Sequence, residues 1–207
     1  MKTIKKIGLV ALTLLALASP TLAQNNLNGF LKGQYNTETH KVEPQLNTFY
    51  TLPGGISGYT FIDFNDGNYF AKSILKKNIG YGISIRSENV SSNETFTATG
   101  NGLEAKIPFL PENVSVSANY LPIWIDNDGK QIDKQIAGFG FEVKLPAGFT
   151  FSGFGNKSLT NGQWGYGELN LSHNAGPVNM TYNPQLVNDG DGSPDLVHRI
   201  GIEIPFK

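Results

Sequence analysis

From about residue 27 to residue 206 the chain alternates apolar and polar side chains with a period of two, and it sustains no helical i, i+3, i+4, i+7 pattern. In NIGYGISIRS, Ile79, Tyr81, Ile83 and Ile85 share one parity, against Gly80, Gly82, Ser84 and Arg86. In NVSVSANYLPIWI the apolar set is Val114, Val116, Ala118, Tyr120, Pro122 and Trp124. In GFGFEVKL it is Phe139, Phe141, Val143 and Leu145, and in HRIGIEIPFK it is Ile200, Ile202, Ile204 and Phe206. Successive residues of a strand point to opposite faces. Each segment therefore predicts a strand with one greasy and one wet side.

The connections sort into two kinds that take turns along the chain. Short ones rich in Pro and Gly fall at 52–55, 76–78, 110–113, 146–148 and 174–177. Longer polar ones fall at 36–41, 65–68, 87–94, 126–133, 156–162 and 183–195. Five turns and six loops give twelve strands, near 27–35, 42–52, 55–64, 69–76, 78–86, 95–109, 113–125, 134–145, 148–155, 163–173, 177–183 and 196–206. The weak alternation of YFAKSILKK leaves ten as the other count. The expected fold is all-β: an up-and-down antiparallel transmembrane β-barrel with its tight turns at one end and its long loops at the other.

Ahead of this region, Lys2, Lys5 and Lys6 precede an apolar run from Ile7 to Ala16 and the small-residue stretch Ser19 to Ala23. That is the layout of a secretory signal peptide over 1–23, followed by one domain over 24–207. The run is shorter than the roughly 20 apolar residues of a membrane-spanning helix. Formal net charge is −1, and loss of the three leader lysines makes it three units more negative. With no basic run, nucleic acid is not an expected partner. There is no cysteine, so disulfides cannot support the fold.

The last strand resembles the C-terminal signal of bacterial outer-membrane β-barrel proteins. His198, Ile200, Ile202, Ile204 and Phe206 carry its alternation and its aromatic end, with Lys207 one place beyond. The resemblance is to the architecture of small porin or channel barrels. It implies outer-membrane location, contact with outer-membrane lipid, and recognition of the last strand by the barrel assembly machinery. It further implies a channel for passive diffusion of small polar solutes, monomeric at this size. Aromatics at both ends of the greasy faces match the two interfacial girdles of such barrels: Tyr35, Tyr50, Phe64, Trp124 and Tyr182 near the loops, Phe109, Phe149 and Phe206 near the turns. Two alternatives stand beside the channel: a closed structural or adhesion barrel, and a soluble exported β-sandwich binding domain.

On the wet parity the charged residues are Lys32, Glu43, Asp63, Lys72, Arg86, Glu104, Lys106, Lys134, Glu142, Lys144, Glu168, Arg199 and Glu203. They are the candidate pore-lining set. Their mixed signs fit either a weakly selective pore or a lumen of ion pairs. Closure would bring Lys32 to Glu203 across the first and last strands. In NDGDGSPD, Asp189, Asp191 and Asp195 have part of the spacing of a calcium loop, but Val187 and the absence of a distal Glu break the full pattern. No cofactor motif occurs. The three histidines bring no nucleophile to their own face: Ser172 beside His173 points the other way, His198 is followed on its face by Ile200, and His40 lies in a loop. No enzyme is expected.

Overall fold

The computed structural model describes residues 27–65, 68–93, 98–188 and 194–206. Its strands are β1 (Leu27–Asn36), β2 (Lys41–Leu52), β3 (Ile56–Asn65), β4 (Asn68–Gly80), β5 (Ile83–Ser92), β6 (Ala98–Lys106), β7 (Val114–Asp126), β8 (Gln131–Ile132), β9 (Ile136–Lys144), β10 (Phe149–Ser158), β11 (Trp164–Asn174), β12 (Asn179–Asn188) and β13 (Pro194–Phe206). The two-residue β8 folds back on β7. The other twelve pair antiparallel, neighbour to neighbour, and β1 with β13 and β6 with β7 complete the ring. One closed sheet takes the place of the two stacked sheets of a sandwich. Asp189 and Asp191, like the leader, lie outside the described residues, and Asp195 is exposed on β13.

β12 runs on to Asn188, into the loop expected at 183–195, and two further details depart from the sequence reading. The turn expected at 76–78 sits at Gly80-Tyr81-Gly82, where φ is 111°, 52° and 76°. Lys76 and Lys77 belong to β4, and much of the expected loop 87–94 belongs to β5. Glycine on both sides lets the chain reverse through positive φ, whereas Lys76 is drawn inside by Glu104 at 2.9 Å. Ile79 and Tyr81 are thus not strand-mates of Ile83.

The second detail is Trp124. A register shift opposite Asn101 and Leu103 puts an extra residue into β7 around Leu121-Pro122. Proline supplies no ladder N–H and is at home in a bulge. Beyond the bulge the parity inverts. Trp124 turns inward, 2 % exposed, with Leu121 and Ala98, and Val90, Ile132 and Ile136 pack around them. It is therefore no part of the outer girdle.

Elsewhere the outer face is as greasy as expected. Ile200, Ile202 and Ile204 are 55 %, 52 % and 55 % exposed, which no dry protein core would leave. Aromatic and histidine pairs mark both rims of this face. Phe149 stacks on His173 at the turn end, with centroids 4.3 Å apart. At the loop end the Tyr182 hydroxyl meets His198 Nδ1 at 2.8 Å and the Tyr35 hydroxyl meets His40 Nδ1 at 2.9 Å.

Candidate functional site: the inner wall

The twelve pairings carry one parity around the inside of the ring. Across the seam, Lys32 meets Glu203 at 3.5 Å. On the same side Arg199 meets Glu43 at 2.9 Å, and Glu43 accepts from Asn36 Nδ2 at 3.1 Å. On β4 to β6 a second group forms. Lys72 meets Glu88 at 2.7 Å, Lys76 meets Glu104 at 2.9 Å, and the Arg86 guanidinium bridges Glu88 and Glu104. Glu168 on β11 accepts from the Tyr166 hydroxyl at 2.7 Å and from Gln185 Nε2 at 3.4 Å. Asp63 keeps one buried carboxylate oxygen without a hydrogen-bond partner. Lys106, Glu142 and Lys144 sit toward the turn end, at the strand ends of β6 and β9.

The geometry thus gathers the expected residues other than Asp63 and Lys134 into two ion-pair groups, a β11–β12 cluster and a turn-end set. Lys76 and Glu88 complete the second group and were missed because the misplaced turn put them in connections. The Gly-Tyr-Gly at 80–82 was the signal that would have found them.

A cavity of about 310 Å³ occupies the turn-end half of the lumen. Lys76, Glu104, Lys106 and Glu142 line it with Ser115 and Ser117, and Phe154 and Glu168 reach it from mid-wall. The loop end is filled on one side. There the Trp124 cluster and β8 project into the mouth, the indole N–H donating to the Leu121 carbonyl at 3.2 Å. Lys134 lies over the Trp124 ring, 4.2 Å from its centroid. Burial, and then the Lys72 ammonium, hold the Lys134 amine below the usual lysine range. The Asp126 carboxylate at this corner accepts the backbone N–H groups of Asp128 and Lys130, both at 2.9 Å. It shapes a turn there. Among the described residues no three His, Cys, Asp or Glu side chains are gathered to hold a metal.

The inner parity also carries rings. Phe30, Phe49, Tyr59, Phe61 and Phe70 form a chain over β1 to β4 with successive centroids 6.2, 4.9, 6.1 and 5.6 Å apart. The register sets them among Lys32, Asn47, Asp63 and Lys72. The Tyr59 hydroxyl donates to Asn47 Oδ1 at 2.6 Å. On β10 and β11, Phe154 and Tyr166 pair at 5.5 Å. Parity counted from Lys32 and Asp63 would have placed the rings of β1 and β3 inside.

No protein-family model matches the chain, and no curated protein does. Similarity appears among solved structures. A KdgM porin superposes with a TM-score of 0.60 at 9 % identity, over 87 % of this chain and 99 % of that one. A KdgM porin in complex with disordered oligogalacturonate gives 0.58 at 10 %, over 88 % and 99 %. A NanC porin gives 0.57 at 11 %, over 85 % and 98 %. At such identities the likeness is one of fold: this twelve-stranded barrel shares its architecture with these porins.

Proposed function

We propose that this protein is an outer-membrane channel for the passive diffusion of small polar solutes. In this reading the segment 1–23 directs export, the assembly machinery reads β13, and the barrel works as a monomer bathed in outer-membrane lipid. The observation that carries the proposal is the division of the wall. The outer face is apolar and exposed at mid-strand, while the inner face is charged, amide-rich and bounds a cavity. A polar lumen inside an apolar shell is what a diffusion pathway across a bilayer requires. The porin likeness of the fold supports it. The candidate pore-lining residues are Lys32, Glu43, Asp63, Lys72, Arg86, Glu104, Lys106, Glu142, Lys144, Glu168, Arg199 and Glu203, joined by Lys76 and Glu88.

The test is electrical. Refolded protein added to a planar bilayer should give discrete conductance steps with weak ion selectivity, since cations and carboxylates alternate on the wall. A protein that shows heat-modifiable migration, the mark of a closed barrel, yet never conducts would overturn the channel. The second reading, a closed barrel, is favoured by the Trp124 cluster across part of the mouth and predicts that silence.

A further inference from the structure

We infer that the passage is built for neutral, hydroxyl-rich solutes with an apolar face, the chemistry of an uncharged oligosaccharide, and that the ring band on β1 to β4 is the surface they bind. This rests on the channel reading above.

Three observations carry it. The first is where the rings sit. Phe49 and Tyr59 are direct cross-strand partners, Phe30 and Phe61 both face Asn47 one step nearer the loops, and Phe70 faces Asp63 one step beyond that. The rings therefore form a band around the wall across four strands, within three successive same-face levels. Phe49 and Phe70 remain 41 % and 40 % exposed on a wall whose neighbouring positions carry charges and amides. Burying a phenylalanine ring away from water is favourable. Rings left open inside a polar lumen thus have a drive to be covered by a passing apolar surface. One face of a pyranose ring offers that surface: its C–H groups are weakly positive and suit the negative face of an aromatic ring.

The second observation concerns the charges. Lys32, Lys72, Arg86 and Arg199 are each held by a carboxylate. An anionic solute would find those cations already engaged. It would also meet the Asp63 and Glu168 carboxylates at mid-wall.

The third concerns the opposite wall. Ser117 and Glu168 line the cavity there, and a hydroxyl and a carboxylate can hydrogen-bond the hydroxyls of a solute, which a plain hydrocarbon lacks. Across the ring from β3 and β4 stand β10 and β11, whose Phe154 and Tyr166 offer a second aromatic surface.

The experiment records ion current through single channels while maltohexaose is added, with a trigalacturonate at equal concentration as the anionic comparator. Maltohexaose should interrupt the current at millimolar concentration and trigalacturonate should do so far less. The variant F49L/F61L keeps apolar bulk but removes two ring faces, and should weaken the block by about tenfold, equivalent to about 1.4 kcal/mol. The variant F61Y should keep it. A conducting channel that maltohexaose leaves undisturbed would overturn the inference and spare the channel. Stronger block by trigalacturonate would do the same, as would equal block in F49L/F61L and wild type. Absence of any conductance in the wild type would remove both.

Discussion

Arg86 shows how a charged group is made tolerable on this wall. Its guanidinium is forked between Glu88 and Glu104, and each carboxylate also holds a lysine, Lys72 or Lys76. Three cations and two carboxylates on adjoining strands β4 to β6 form one unit. Removing the central cation leaves two crowded carboxylates short of a partner, and such a loss costs about 3 kcal/mol in a buried setting. R86M should therefore lower stability in urea titrations of the lipid-reconstituted barrel by about that amount. R86M/E104Q should recover part of it, because the stranded charge goes too. R86K should behave more like R86M than like wild type, since an ammonium cannot span both carboxylates as a planar fork does. Most of this wall was legible beforehand, because parity alone assigns Arg86 and Glu104 to the wet face. Glu88 and Lys76 were not, for a reason that belongs to the connections.

Strand ends are where alternation ceases to inform. Ile79, Tyr81, Ile83 and Ile85 keep a perfect period of two straight through a reversal of the chain, so pattern cannot see the turn. Backbone stereochemistry can: Gly80 and Gly82 supply positive φ on either side of Tyr81. G82A should be destabilising by about 1–2 kcal/mol, because a Cβ there is disfavoured at φ 76° and would stand 2.8 Å from the Lys106 carbonyl oxygen. The β7 bulge is the mirror case, in which one inserted residue flips every later side chain. It explains why an apparently girdle-forming tryptophan is interior. Gly100 faces it with no side chain, and a Cβ there would fall 2.6 Å from the indole. W124A should leave a cavity and cost about 3–5 kcal/mol. Because the indole anchors β8 and Lys134 at the mouth, the same variant should raise single-channel conductance or its noise. Unchanged current would mean that this corner does not restrict the path.

The closed ring is the feature that sequence conveyed best, since the alternation of short and long connections fixes both strand direction and count. What parity could not say is which medium lies on each side, and that is open to a paired substitution. Ser117 and Ala118 are consecutive on β7. Ser117 lines the cavity opposite Gly140, while Ala118 is exposed on the outer face between Ala105 and Phe139. An arginine at Ala118 would carry its charge into hydrocarbon, a penalty of about 2–4 kcal/mol near the bilayer midplane. An arginine at Ser117 would enter water beside Glu142 and Glu168 and cost little. In unfolding titrations from lipid vesicles A118R should lose that stability while S117R stays close to wild type. S117R should instead shift ion selectivity toward anions, because it adds a cation to the conducting path and A118R does not. Equal losses for the two variants would mean that both faces of β7 share one environment, which a barrel with lipid outside and water inside does not allow.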